Sequence, residues 1–530
     1  MESNVWGGRK SVVVPGITAP SSLACLRSFA RRGIRTIVVS SDERTPSFRS
    51  RYCDEAVVVP SPHENLLAYR DALLSLAKRP DVQTIVPVRE PDIYVLAAYR
   101  DEFADHIGTP WPDLQTLARV QDRIELFDTA AEAGVSIPET TLCTEVPDPD
   151  RQWIVKPRYS ILTAEYVDRY GPKTCLAPPS TRYLEFDHAD DERIEVAPAS
   201  GTPTPENGST DSPLPGDDSA TGSSTADFAG DVRANTLTAT PTSSTHTAAG
   251  TTDYSHDHLD TDGGTSAASP SPLAGDDGDR DGDATDTRDT SDTADTTATA
   301  DTAPATNTGD TTATADTTAS TLESLHAEMR HTPIVQEYVP TSDEYAFFAL
   351  YDRGEPVATF QHRQRRGYSY AGGPSSYRES VRIPALEEAG RTLLDALEWH
   401  GLAMVEFLRD EETGEFKLME INPRFWSSLP FTVQTGADFP YYYWLLATGE
   451  DERIDHSYEV GIGGHLLRGE LLHLHSILTA DVPLVEKPRF STALWDVCRS
   501  IVAEPRFDYL SRTDPKPFVR DLLNAAQSLR

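Results

Sequence analysis

The chain has 530 residues and carries 84 acidic against 47 basic side chains, a formal charge of −37 at pH 7. That length exceeds what one hydrophobic core usually organises, so at least two folded units are expected. A chain this negative is repelled by phosphate backbones and anionic lipid, which argues against nucleic acid or a membrane surface as partner.

Residues 1 to 10 are polar, and the first apolar run, Val12 to Val14, is cut short by Pro15 and Gly16. With neither a signal peptide nor an 18-residue apolar span, a cytoplasmic protein is expected. Five scattered cysteines, Cys25, Cys53, Cys143, Cys175 and Cys498, fit a reducing compartment. From Ser11 to about Leu117, β-branched runs (Val12–Val14, Thr36–Val39, Ala56–Val59, Thr84–Val88) alternate with amphipathic stretches (Ser21 to Arg32, Glu64 to Lys78). This pattern predicts an α/β domain with a parallel sheet, ligands lying at the strands' carboxyl ends. The first loop, Pro15-Gly16-Ile17-Thr18, lacks the GxGxxG spacing of a dinucleotide site.

A second unit starts near Asp122, with a helix predicted over Ile124 to Ala133 and a strand over Trp153 to Lys156. Residues 201 to 320 then hold 22 Asp/Glu, 3 Arg, no Lys and 30 Thr, with only Phe228 and Tyr254 as aromatics. Such a tract buries too little apolar area to offset chain entropy and is expected to be disordered. Within it, Asp277 to Asp283 begins like a calcium loop, but Arg288 stands where the twelfth-position Glu belongs, so calcium is not expected. Order is predicted to resume with a helix at Leu322 to Met329. Strands Ile334 to Val339 and Glu344 to Tyr351, a helix Ala385 to His400, and strands Leu402 to Arg409 and Phe416 to Ile421 follow. The tail past Glu450 reads as mostly helical. On the helix predicted over Gly464 to Leu478, His465, His473 and His475 do not share a face, so no zinc site is expected. Outside the acidic tract the charge is still −18, and over the whole chain 40 Arg stand against 7 Lys. This composition points to a halophile, haloarchaeal in character, whose cytosolic salt screens self-repulsion.

The chemistry concentrates in two strands. A hairpin centred on Thr413 sets Glu406 opposite Glu420 and Met404 opposite Asn422, and period-two alternation puts Glu420 and Asn422 on one face. Carboxylates facing each other across a ladder repel, so the pair calls for a cation. Two carboxylates and an amide oxygen suit Mg²⁺ (or Mn²⁺), which keeps water and bridges phosphates. The alternative is an edge hairpin with solvated acids. Between the strand pairs, His362-Arg363-Gln364-Arg365-Arg366 followed by Ala371-Gly372-Gly373 and Arg378 looks like an anion loop, against a flexible loop with screened arginines. Arg89 to Asp92, at a strand end of the first domain, is placed to face the same cleft.

With these residues in this order, the chain resembles an ATP-grasp protein, similar to the branch of carboxylate-amine ligases and the carbamoyl-phosphate synthase large subunit. The resemblance covers roughly 11 to 190 and 322 to 450. It implies that Glu406, Glu420 and Asn422 bind the metal. Gln336, Glu337 and the backbone of Tyr338 and Val339 would hold adenine, and Glu344 the ribose. Lys156 and Arg123 would contact ATP phosphates, while Arg363, Arg378 and Arg424 would hold the substrate carboxylate and acyl-phosphate. The implied organisation is an N-terminal α/β domain (1–117), part of a first α+β ATP-grasp lobe (118–190), the acidic insertion (191–321), the adenine segment with the metal-binding lobe (322–450) and a helical extension (451–530). The implied activity is ADP-forming ligation of a small-molecule carboxylate to an amine. A nucleotide-binding regulatory or scaffold protein is the rival. One departure favours that rival: after Lys156 relatives carry a glycine-rich phosphate loop, whereas Arg158 to Thr163 contains no glycine.

Overall fold

The computed structural model describes residues 8–144, 148, 150–187, 193–198, 323–341, 343–482 and 485–528. The acidic tract expected to be disordered, with its calcium-like loop, lies outside them apart from residues 193–198. In the N-terminal part β1 (Ser11–Pro15), α1 (Ser21–Arg31), β2 (Arg35–Ser40), β3 (Glu55–Val58), α2 (Leu66–Ala77) and β4 (Val82–Ile85) build a parallel sheet of order β3-β2-β1-β4. Val12, Val13 and Val14 are buried on both faces, which is why the central strand reads as a continuous apolar run. β4 ends before the residues expected, at Ile85, yet Val86 and Val88 stay buried beyond it. The chain continues through α3 (Glu90–Ala98), α4 (Arg100–Ala104), α5 (Leu114–Gln121) and α6 (Arg123–Glu132). Asp122 caps α6 by accepting from the Ile124 N–H at 3.0 Å, and this fixes Arg123 as the first helical residue.

A five-stranded antiparallel sheet follows. It comprises β5 (Thr140–Leu142), β6 (Trp153–Lys156), β9 (Arg182–Asp187), β10 (Arg193–Pro198) and β11 (Ile334–Glu337) in the order β10-β9-β6-β11-β5. Two short strands, β7 (Leu162–Thr163) and β8 (Cys175–Leu176), pair with each other, and α7 spans 323–329. Residues 193–198, assigned from sequence to the insertion, instead pair with β9.

The third sheet is built by β12 (Glu344–Asp352), β13 (Glu355–Ser369), β14 (Gly372–Ser380), β15 (Gly401–Arg409), β16 (Phe416–Asn422) and β17 (Gly463–His465), ordered β16-β15-β12-β13-β14-β17. Helix α8 (Pro384–Ala396) packs on one face, where Phe347, Ala349, Ala403 and Val405 meet Leu386, Leu393 and Leu394. On the other, Ala346, Phe348, Leu350 and Leu402 join the core of the N-terminal sheet through α9 (Leu429–Gln434) and α10 (Phe439–Thr448). The stretch expected as an arginine-rich loop is the β13–β14 hairpin. Its inward side chains Gln361, His362 and Gln364 are polar although buried, so no apolar alternation marked it as strand.

In the tail, α11 (Leu467–Thr479), α12 (Phe490–Ala503) and α13 (Lys516–Ser528) are helical, but His465 lies in β17 rather than on a helix. His465 stacks on Tyr377 at 4.4 Å and pairs with Glu470 at 2.7 Å, while His473 bonds the Gly367 carbonyl and His475 is exposed. Among the described residues no helix is long and apolar enough to cross a membrane.

Candidate active site

The β15–β16 ladder pairs Glu406 with Glu420 and Met404 with Asn422, and a bulge after Glu406 returns the chain to Phe407 opposite Leu418. Because β12 pairs Ala346 with Glu406, the two acids and Asn422 lie on the sheet face away from α8. Asn422 Nδ2 donates to Glu406 Oε1 at 3.2 Å and to Glu420 Oε1 at 3.1 Å, so one amide bridges both carboxyl groups. Its Oδ1 accepts from Arg424 Nη2 at 3.0 Å, and Arg424 Nε reaches Glu90 Oε1 at 2.8 Å. Glu90 also accepts from Gln121. Of the Arg89 to Asp92 segment, therefore, Glu90 enters the cleft, whereas Arg89 is spent on Asp92 and Tyr69.

The opposing wall is cationic. Arg123 Nη2 donates to Glu420 Oε2 at 2.8 Å and its Nη1 to the Pro157 carbonyl. Lys156 Nζ donates to Gln336 Oε1 at 2.8 Å across the five-stranded sheet. Burial, with Arg123 adding to it, lowers the Lys156 pKa to about 8 against the pull of Glu420, Glu406 and Glu344. Burial likewise raises Glu344 to about 7, opposed by Lys156. Glu406 is pushed well above the carboxylate range by burial and then by the charges of Glu420 and Glu344. For Glu420 desolvation acts upward too, but Arg123, through charge and hydrogen bond, outweighs it and holds the group below its ordinary value. The two acids are thus driven in opposite directions, Glu406 toward its protonated and Glu420 toward its ionised form. The Glu420 side chain remains 34 % exposed, so solvent reaches this acid beside the buried Asn422.

Glu344 sits under the β13–β14 turn. Gln364 Nε2 bridges Glu344 Oε2 at 2.6 Å and the Gly373 carbonyl at 3.0 Å, and a Cβ on Gly372 would stand 2.6 Å from Glu344 Oε1. At φ +112° Gly372 also adopts a backbone conformation that side chains rarely take. Gln364 was missed because polar residues alternating within a strand carry no apolar signal. Glu90, Gln121 and Tyr166, whose hydroxyl donates to Gln121 at 2.7 Å, are equally silent in sequence.

Several expected residues are placed elsewhere. Arg363 pairs with Tyr345, so its side chain emerges on the α8 face, where it binds Asp343. Arg378 does face inward, but its guanidinium is fully buried against Asp508 of the tail and the Ser375 carbonyl. Neither joins Arg424 at the acids. Glu337 points to the other side of its strand from Gln336 and pairs with Arg151 at 3.0 Å, and the Tyr338 N–H is already bonded to the Gln152 carbonyl. The Tyr338 ring packs instead with Tyr183 and Ile154 beside Lys156, while Val339 is buried. The glycine-free segment after Lys156 folds into the protein: Arg158 pairs with Asp122, the Ser160 N–H bonds the Gln121 carbonyl, and Ile161 to Thr163 are buried.

No family model matches the sequence, and no curated protein matches it. Solved structures overlap it loosely. N5-carboxyaminoimidazole synthetase from Staphylococcus aureus, complexed with ADP, is 11% identical over 86% of this chain and 81% of its own, with a TM-score of 0.45. A biotin carboxylase complex with β,γ-ATP from Campylobacter jejuni is 11% identical over 86% and 74%, at 0.44. The biotin carboxylase domain of the Hydrogenobacter thermophilus 2-oxoglutarate carboxylase, with MgADP, ADP and bicarbonate, is 11% identical over 86% and 73%, also at 0.44. Overlap this loose assigns neither activity nor ligand to this chain.

Proposed function

We propose that the chain is an ATP- and Mg²⁺-dependent ligase of the ATP-grasp type, which activates a small-molecule carboxylate as an acyl-phosphate and transfers it to an amine. The observation that carries this reading is the convergence of Lys156 from one sheet and Arg123 from α6 on the Glu406, Glu420 and Asn422 group of another. The donor set fits a hard divalent ion. Among the described residues no three His, Cys, Asp or Glu side chains gather as a metal cage. Two carboxylates and an amide therefore leave positions for water and phosphate oxygens, as Mg²⁺ or Mn²⁺ requires. Asn422 would present Oδ1 by turning its amide over and giving up Arg424.

When bound, the ion neutralises charge on the transferring phosphoryl group. The chain's own residues position it: Lys156 and Arg123 flank the phosphates, Glu344 accepts the ribose hydroxyls, and the Ile154, Tyr183 and Tyr338 side chains form an apolar wall for the base. Arg424, freed from Asn422, is placed to hold the carboxylate. Arg363 and Arg378 take no part in this reading.

A second reading, an ATP-binding protein without turnover, draws support from the buried, already bonded segment at Arg158 to Thr163, which leaves no backbone N–H nest for the terminal phosphates. Measuring ADP release from the full chain in molar KCl, with Mg·ATP and panels of amines and small carboxylic acids, separates the two. Amine-stimulated ADP release that disappears in Glu420→Ala supports the ligase. Tight nucleotide binding without release in any mixture supports the second reading.

A further inference from the structure

Strand β11 lies between β6 and β5, and its register sets three polar side chains on one face. Gln336 stands opposite Thr140 of β5, and Lys156 of β6, opposite Ile334, is its diagonal neighbour. Gln336 is fully buried, so both ends of its amide need partners. The direction of these bonds is fixed from one end. The Thr140 hydroxyl donates to the Pro138 carbonyl at 2.9 Å, which leaves its Oγ1 to accept. Gln336 Nε2 donates to that oxygen at 2.9 Å, and Oε1 is thereby turned toward Lys156 Nζ, from which it accepts at 2.8 Å. Among the described residues this amide oxygen is the one hydrogen-bond acceptor of the Lys156 ammonium. An ammonium held by a neutral acceptor keeps its full charge for an incoming anion. A carboxylate in that place would cancel it, where Lys156, beside Arg123, already faces the charges of Glu420, Glu406 and Glu344.

We propose that Gln336, oriented by Thr140, is a positioning residue for Lys156: a neutral acceptor that aims the ammonium at the nucleotide phosphates without discharging it. This rests on the nucleotide-binding reading above. It replaces the adenine contact expected of Gln336, because both ends of the amide are already engaged. Thr140 acts at one remove. Without its oxygen the amide can turn over and set Nε2 against the ammonium, donor against donor.

The test is calorimetric titration of the full chain with Mg·ADP and with adenosine in molar KCl. Gln336→Glu, which keeps the shape of the side chain and adds a charge, should cost ADP at least tenfold more affinity than it costs adenosine. Gln336→Met, which removes the acceptor without adding charge, should show the same bias more weakly, and Thr140→Val should lose more ADP affinity than Thr140→Ser. In a Lys156→Met background, Gln336→Glu should leave the ratio of ADP to adenosine affinity where Lys156→Met put it, since no ammonium remains to be held. A general disturbance of the sheet would instead lower both ligands alike and add to the Lys156→Met loss. Equal losses for the two ligands, additive losses in the double variant, or a Gln336→Glu chain with wild-type ADP affinity overturns the proposal while leaving nucleotide binding intact. A wild type that binds neither ligand overturns the nucleotide reading and this inference together.

Discussion

The two acids of the hairpin make opposite predictions when each is changed to glutamine. Burial and then the Glu420 and Glu344 charges raise the Glu406 pKa well above the ordinary carboxylate value, which favours its protonated form. Glu406→Gln exchanges one neutral group for another of the same shape, and its amide oxygen can still accept from Asn422. Its effect on stability is expected to be smaller than that of Glu420→Gln, because the hydrogen bond from Asn422 is kept and no ion pair is broken. It should also remove a pH dependence: an acid whose pKa is raised on folding makes the protein less stable as pH rises between the ordinary and the folded value. Glu420→Gln removes the charge that Arg123 holds at 2.8 Å. With Arg123 12 % and Glu420 34 % exposed, the pair falls between the surface limit of about 0–1 kcal/mol and the buried limit of about 3–5. A loss of about 1–2 kcal/mol follows. Both variants should nevertheless lose the thermal shift given by Mg·ADP, which for a ligand at a hundred times its Kd is about 2.7 kcal/mol in the wild type. The assay is melting in molar KCl with and without Mg·ADP, together with titration calorimetry in two buffers of different ionisation enthalpy. A metal needs the ionised carboxylate, so binding should release protons from the wild type and fewer from Glu406→Gln. Equal stabilities for the two variants, a retained Mg·ADP shift in either, or no proton release would refute the reasoning.

Three further outcomes are expected. Lys156 must be charged to attract phosphate, so with its pKa near 8 nucleotide affinity should weaken above pH 8 by up to tenfold per unit. Stability of the nucleotide-free protein should rise between about pH 8 and 10.5 as the folded state sheds a proton the unfolded chain retains, and Lys156→Met should flatten both profiles. Gly372→Ala should cost about 1–3 kcal/mol and weaken nucleotide binding, since its Cβ lands on Glu344 Oε1 from a positive φ. Melting and fluorescent-nucleotide titration would show it. Dialysis into dilute buffer should progressively abolish the circular-dichroism signal, because the −37 charge is then unscreened; full stability there would contradict the halophilic reading.

What the sequence by itself determined is local. Three consecutive valines and the β-branched runs after them specified a parallel sheet because period and burial are properties of neighbouring residues. The turn between Leu402 and Ile421 specified the hairpin, but a one-residue bulge between Glu406 and Phe407 sets Glu406 opposite Glu420, where the turn alone would have placed Met419. Tertiary structure decided which charges are free to do chemistry. Arg378 looked like an anion ligand until Asp508, 130 residues later, took its guanidinium, and Arg363 lost its place to a strand whose polar interior hid the alternation. Conversely, Arg123 reaches Glu420 across 297 residues and Arg424 reaches Glu90 across 334. Ion pairs between segments so distant leave no spacing in the chain to read, since Coulomb attraction depends on separation in space alone.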